Sequence, residues 1–273
     1  MITSTGNSRV RELVKLKKNS RDRDAQDVFV AEGPKMFREI PVSLLREAYA
    51  TKSFLESADG RKALSAGIRI ETVSDAVFQY MSDTRSPQGI LAVVSQLHYE
   101  IPDLLGEGNA SPDRKEAAGA DHTPLIVVLE NLQDPGNLGT IVRSAEAAGA
   151  TGILLSKGSA DIYNPKVTRS TMGSVFRVPF VYTDHLKEEL EALKERGVRL
   201  YAAHLKGSRD MYAESYAGPG AFLIGNESRG LTDETAALAH QAVRIPMCGQ
   251  VESLNAAIAA SVLLYEARRQ RQN

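Results

Sequence analysis

Cysteine is nearly absent from this chain: Cys248 is the only one in 273 residues. That excludes an intrachain disulfide and a multi-cysteine metal site, and it fits a reducing, cytoplasmic compartment. No apolar run approaches the roughly eighteen residues of a membrane span. The stretch from Met1 to Arg11 has no apolar signal-peptide core, which predicts that the protein is not exported. Neither sign of charge dominates. The chain has 33 Lys and Arg against 34 Asp and Glu, so any contact with nucleic acid must come from local patches. Several catalytic signatures are missing too. No G-x-G-x-x-G follows a strand pattern, which disfavours a dinucleotide fold. There is no G-x-S-x-G elbow. His98, His122, His185, His204 and His240 form no H-x-x-x-H pair for a metal.

What is present reads as two α/β domains. Seven Lys and Arg between Arg9 and Arg23 face only Glu12 and Asp22, with Val10, Leu13, Val14 and Leu16 at near-helical spacing. This predicts a basic amphipathic helix, which is either a nucleic-acid-binding surface or a solvated face packed on its neighbour. Strands are expected at 27–31, 46–50, 68–72 and 89–95, with helices between them, and they form a small domain over residues 1–100. Residues 101–123 read as a linker, most clearly the Gly-, Ala- and charge-rich stretch 106–122, which has no apolar face. Residues 124–273 alternate strand and helix. Strands are expected at 125–129, 152–155, 175–181, 198–203, 221–225 and 242–246, and a long helix at 253–269. Such alternation implies a mostly parallel sheet covered by helices.

In a parallel sheet, ligands bind in the loops that leave the carboxyl ends of strands. Three such loops are polar and glycine-rich. The first is NLQDPGNLGTIVR, from Asn131 to Arg143, where Asn137 suits a helix cap. A plain strand-to-helix turn accounts for its turn residues, but not for Glu130, Asn131 and Arg143 gathered around one loop. The second is GNESRG, from Gly225 to Gly230. It has the spacing of a phosphate loop, but Leu231 stands where that loop needs Lys, so nucleoside triphosphate binding is disfavoured. Glu227 and Arg229 form either part of a site or a local ion pair. The third is IPMCGQVESLN, from Ile245 to Asn255. Ser253 suits a helix cap, whereas Asn255 is a poor helix former and harder to explain by packing.

At these three loops the sequence resembles the SpoU branch of the SPOUT methyltransferases, the TrmH-like RNA ribose methylases. The resemblance rests on NLQDPGNLGTIVRSAEAAGA, FLIGNESRGL and IPMCGQVESLNAAIAA, in that order. Less specifically, VFVAEGPKMFREI and TRSPQGILAVV look like the substrate-binding domain of that family. The resemblance implies a C-terminal parallel-sheet SPOUT domain with a trefoil knot, an N-terminal α/β RNA-binding domain, and a homodimer with its site at the subunit interface. It implies S-adenosylmethionine as cofactor, no metal, no membrane, and ribosomal RNA as substrate. Matched position by position, it assigns catalytic roles to Arg143, Asn137, Glu227, Ser253 and Asn255. It assigns cofactor contacts to Ala203, His204, Gly225, Ile245 and Leu254.

On this reading Arg143 binds an RNA phosphate and orients the 2′-hydroxyl, because a free guanidinium keeps its proton to a pH above about 12. Asn137 and Ser253 position the ribose, Glu227 holds Arg143 or the loop, and Asn255 fixes the third loop. Ribose methylation of transfer RNA, base methylation, and a non-catalytic RNA-binding relative are the alternatives.

Overall fold

The continuous apolar runs become inner strands of two sheets in a computed structural model that describes residues 1–107, 123–204 and 209–272. The chain divides into two units. One comprises Met1–Leu97 with Asp161–Phe176, the other His98–Ala160 with Arg177–Asn273.

In the first unit the basic segment is two helices. Asn7 caps α1 (Ser8–Lys18), and Asn19 ends it and caps α2 (Ser20–Gln26). Val10, Leu13 and Leu16 are buried along one face of α1. Two of the seven cations are buried with them. Lys17 donates to the Met81 carbonyl and pairs with Asp83 at 3.0 Å and Glu32 at 3.8 Å. Burial holds this ammonium below the usual lysine range, against the opposing pull of the two carboxylates. Arg23 bonds the carbonyls of Leu16 and Lys17 and pairs with Asp161. Those two side chains hold the fold together, which leaves Arg9, Arg11, Lys15, Lys18 and Arg21 exposed.

The unit continues through β1 (Val28–Glu32), α3 (Pro34–Glu39), β2 (Leu45–Ala50), α4 (Lys52–Leu55), α5 (Ala58–Ser65), β3 (Glu71–Thr72), α6 (Asp75–Met81) and β4 (Ile90–Ser95). The sheet order is β1-β4-β2-β3, with β4 antiparallel to both neighbours. Every residue of β1 and β4 is buried, including Glu32 and Ser95 at their ends, and for β4 this follows from its nearly continuous apolar run.

Residues 161–176, assigned from sequence to the second domain, cluster with this first unit. The Arg23–Asp161 pair accounts for part of this. Tyr163 accounts for more. Its ring stacks on Phe29 at 4.6 Å, and its hydroxyl accepts from the Leu97 N–H and donates to the Leu97 carbonyl. Val175, expected in a strand, lies in a 3-10 turn over Ser174–Phe176.

The second unit opens with α7 (Ile101–Leu104), inside the expected linker. Leu104 and Leu105 join its core, so the start of that stretch is ordered helix. The expectation of a flexible segment falls almost wholly on 108–122, outside the described residues. Next come β5 (Leu125–Leu129), α8 (Pro135–Ala148), β6 (Gly152–Ser156), β7 (Phe180–Thr183), α9 (Leu186–Glu195), β8 (Arg199–Ala203), β9 (Arg209–Asp210), β10 (Gly220–Ile224), α10 (Asp233–Leu238), β11 (Gln241–Arg244) and α11 (Ala256–Arg271). The sheet order is β7-β6-β5-β10-β8-β11-β9, and every pairing is parallel. All carboxyl ends therefore lie along one edge. From β5 the chain builds outward through β6 and β7, and then it crosses to β8, beyond the place later filled by β10. Such a reversal is where open parallel sheets bind ligands. The expected fold class, a large parallel sheet with a smaller N-terminal α/β unit, is the one observed.

Candidate active site

β5 and β10 are adjacent and in register, Leu125 with Gly220 through Leu129 with Ile224. The loops that leave them are therefore neighbours. After β5, Glu130 turns inward and is buried. Its carboxylate accepts from the N–H and hydroxyl of Thr232, each at 2.8 Å, and from the Thr235 hydroxyl at 2.6 Å. The end of β5 is thus tied to the cap of α10, about a hundred residues away in sequence.

Asn131 takes a left-handed conformation (φ 52°), which Asn tolerates better than most residues. Its N–H donates to Ser156 Oγ and its carbonyl accepts from Asn226 Nδ2 at 2.8 Å. Asp134 then caps α8, accepting from the Asn137 N–H at 2.8 Å, with Pro135 at the first helical position. Asn137 is therefore not the cap. It sits one turn inside α8, and its side chain is left for other work.

The loop after β10 folds back tightly. A side chain at Gly225 would lie 2.1 Å from the backbone of Gly230 and Leu231, so only glycine fits. Asn226 and Gly230 exchange backbone hydrogen bonds, and Asn226 Oδ1 accepts from the N–H groups of Ser228 and Arg229. This presents Glu227 to the first loop. Its carboxylate accepts from the N–H of Gln133 at 3.0 Å and of Asp134 at 2.9 Å, and from Asn137 Nδ2 at 3.0 Å. Burial alone would raise its pKa. The bonds from Asn137, Gln133 and Asp134 outweigh that and hold the carboxyl below its ordinary range. Glu227 is accordingly an anion whose function is to accept.

The third loop completes the chain of contacts. Asn255, rather than the expected Ser253, caps α11, with Oδ1 accepting from Ala257 and Ile258 N–H at 2.9 and 3.3 Å. Its Nδ2 donates to Asn137 Oδ1 at 2.9 Å. A carboxylate can only accept, so Glu227 orients the Asn137 amide, and Asn137 in turn orients Asn255. One polar chain, Glu227–Asn137–Asn255, thus joins all three loops. Behind it α8 and α11 run side by side in the same direction, with Ser144 Oγ 2.8 Å from Ser261 Oγ.

Comparison with known proteins agrees with the fold. Residues 124–265 match the SpoU rRNA Methylase family, and residues 7–92 match the MRM3-like substrate binding domain. The chain is 30% identical over 269 residues to the 23S rRNA (guanosine(2553)-2′-O)-methyltransferase RlmP of Bacillus subtilis (strain 168), covering 98% of each chain. The chain belongs to the SpoU rRNA methylase family. Among solved structures it resembles the SpoU methyltransferase AviRb from Streptomyces viridochromogenes in complex with the cofactor AdoMet. That match has a TM-score of 0.80 and 28% identity, over 98% of this chain and 99% of that one. The AdoMet-bound rRNA methyltransferase from Sinorhizobium meliloti is similar too, with a TM-score of 0.80, 30% identity, and 98% and 97% of the two chains covered.

Of the SpoU catalytic candidates, the structure joins Asn137, Glu227 and Asn255 directly. Arg143 lies on α8 with Asn137, exposed and with no hydrogen bond or ion pair among the described residues. Glu227 therefore holds the loop and not Arg143. Ser253 is exposed, just before the Asn255 cap, and joins no part of this network.

The candidate cofactor residues Ala203 with His204, Gly225 and Ile245 follow three adjacent strands, β8, β10 and β11. Leu254 lies beside Asn255. His204 N–H is spent on the Val243 carbonyl at 3.0 Å. The N–H groups of Ile245 and Leu254, both half-buried, have no partner among the described residues. Sequence reasoning missed the bridging roles of Asn226 and of Ser156. Asn226 is legible in part, since a short amide after a strand is a common turn former, but its partner is not.

Proposed function

We propose that this SpoU chain transfers a methyl group from S-adenosylmethionine to a ribose 2′-hydroxyl of 23S ribosomal RNA. The observation that carries the proposal is the chain Glu227–Asn137–Asn255, which locks three loops at the strand ends, with Arg143 exposed and unpaired among the described residues on the same helix as Asn137. The activity of the B. subtilis relative, a 23S rRNA 2′-O-methyltransferase, supports the choice of RNA.

The cofactor fits the residues present. The unspent backbone donors of Ile245 and Leu254, themselves half-buried residues, suit the edge of an adenine ring. Ala203, His204 and Gly225 border the same strand ends. S-adenosylmethionine supplies a methyl already activated on a sulfonium, so the protein's task is mainly alignment. Arg143 holds an RNA phosphate with its planar fork and orients the hydroxyl. Asn137, fixed from both ends, and Ser253 place the ribose, and Glu227 stiffens the first loop. Asn255 sets the third loop through the α11 cap. The hydroxyl proton leaves to the RNA phosphate or to water.

The dimer is part of this reading. On α11, Ala257, Ala260, Leu263, Leu264 and Ala267 face the core, while Ile258 and Tyr265 stay 49% and 52% exposed, with half-buried Val262 between them. Spacings of four and three residues put these three on one stripe, which we assign to a second copy of the chain. The knot expected of the family lies in the same C-terminal segment, and the tight return over Gly225 suits it. No described helix is long and apolar enough to cross a membrane, and a ribosomal RNA substrate places the enzyme in the cytoplasm.

The test is to map ribose methylation on total RNA from a deletion strain and from the complemented strain. Loss of one 2′-O-methyl mark in 23S RNA is the expected result. A mark lost only from transfer RNA would move the substrate, and no lost mark in any RNA would overturn the proposal.

A further inference from the structure

The first unit carries a cleft that the chemistry above does not use. It opens where the carboxyl ends of β1 and β2 meet the start of β4, and its volume is about 450 Å³. Phe54 and Phe78, 5% and 2% exposed, form an apolar floor. Around the rim stand polar side chains with unspent hydrogen-bonding capacity. Asp75 and Gln79, one helical turn apart on α6, make no hydrogen bond or ion pair among the described residues, and neither does Gln88 opposite them. The remaining carboxylate, Asp59, is already engaged by Arg38 at 3.5 Å.

The wall is closely packed at Gly89. Gly89 has φ +80°, its carbonyl accepts from Thr51 N–H, and a side chain there would lie 2.6 Å from Thr51 Oγ1. No Lys or Arg lines the cleft. A phosphate would therefore meet carboxylate and no cation.

An apolar floor under a polar, cation-free rim suits a flat ligand with apolar faces and hydrogen-bonding edges. Single-stranded RNA offers that shape in an unstacked base. We propose that this cleft receives one unstacked guanine of the substrate RNA. Guanine presents two adjacent donors, N1–H and the 2-amino group, and one acceptor, O6. The free Asp75 carboxylate accepts from both donors, and the amide of Gln79 or Gln88 donates to O6. Cytosine and adenine offer a carboxylate only an amino group, and uracil only one ring N–H. The inference rests on the reading of the protein as an RNA methylase and names a recognition point for it, separate from the methylated ribose.

The test uses the full-length protein and three fluorescent RNA hexamers: UUUGUU, the same sequence with inosine for guanosine, and all-uridine. Inosine lacks only the 2-amino group. Anisotropy titrations at one fixed salt concentration should show guanosine bound about tenfold more tightly than inosine or uridine, within the range for a bidentate base contact. Asp75→Asn, at an exposed position, should erase that preference, whereas the double variant Gln79→Leu, Gln88→Leu, which removes only the donors to O6, should weaken guanosine and inosine alike. Calorimetric binding of S-adenosylmethionine should stay unchanged. If the parent protein binds all three hexamers equally, or if Asp75→Asn keeps the preference, the guanine site is refuted while the methylase reading stands. If the parent binds no RNA and transfers no methyl group, the methylase reading fails and the site fails with it.

Discussion

Glu227→Gln tests whether the three loops act as one structure. Glu227 accepts three hydrogen bonds of 2.9 to 3.0 Å, from Gln133 N–H, Asp134 N–H and Asn137 Nδ2. A glutamine keeps one acceptor oxygen and turns an amide N–H₂ toward groups that can only donate, so at least one bond is lost and the rest lose their charge. Hydrogen bonds to charged groups contribute about 1.5–3 kcal/mol each. Glu227 is exposed, so solvent screening discounts that, and a total loss of about 1–2 kcal/mol is expected. Catalysis should suffer more than stability. Asn137 loses the partner that orients it, and small misplacements at a reacting centre cost up to about a hundredfold in rate.

The pH dependence supplies a separate signature. The Glu227 carboxyl titrates lower in the folded protein than in the unfolded chain. As pH falls, the unfolded state therefore binds the proton first. The contribution of Glu227 is complete above about pH 5 and is lost as pH drops through the lowered value. Urea denaturation from pH 3.5 to 7, beside single-turnover methyl transfer, measures both effects. The variant should be less stable at neutral pH and show a flatter acid limb. Parent-like turnover with an unchanged acid limb would refute the idea that this carboxylate organises the site.

Arg143→Ala should leave folding and S-adenosylmethionine binding nearly unchanged and abolish methyl transfer. Arg143→Lys, which keeps the charge but loses the fork, should fall by at least about a hundredfold; parent-like rates in both would reduce Arg143 to a surface charge. His240 Nδ1 accepts from Leu200 N–H at 2.9 Å, and burial, aided by Lys194 and Arg199, holds its pKa below the ordinary histidine value. Its contribution is therefore present above about pH 6.5 and lost as pH falls below that, by less than about 1 kcal/mol at this exposed position; His240→Asn should remove that slope from denaturation curves between pH 5 and 8. The double variant Ile258→Lys, Tyr265→Lys should dissociate a dimer to monomers in light scattering at micromolar concentration, and a parent protein already monomeric would refute the α11 interface.

The architecture was legible because burial writes itself into composition. LIVVL became β5 with every residue buried, and GILAVVS became β4 for the same reason. The caps were less legible, because short polar residues compete for one position. Asp134 and Asn137 can both cap α8, and Pro135 decides between them by fixing the first helical residue just after Asp134. Ser253 and Asn255 compete in the same way, and the structure gives the cap to Asn255. What no local pattern could reveal is partnership across long separations. Glu227 and Asn137 lie 90 residues apart, and Asn137 and Asn255 lie 118 apart. Residues 161–176 show the same limit at larger scale, since contacts such as the Arg23–Asp161 pair, the Phe29–Tyr163 stack and the Tyr163–Leu97 hydrogen bonds bring that stretch to the first unit.

The capping outcome bears directly on mechanism. With Asn137 at the cap, its side-chain oxygen would have been spent on backbone N–H groups of α8, and no amide would have been left to bridge Glu227 and Asn255. Because Asp134 takes that role, Asn137 spends its side chain between loops. Asn255 then performs both tasks, with its oxygen on the α11 N–H groups and its nitrogen on Asn137. The polarity of the whole chain runs one way, from the helix end to the carboxylate. Reversing any one amide would set donor against donor. A substitution of Asn137 by Asp should therefore be more disruptive than one by Ala. Asp places a second carboxylate oxygen against Glu227, and like charges at about 3 Å cannot both remain ionised. Ala only leaves a gap at this half-exposed site.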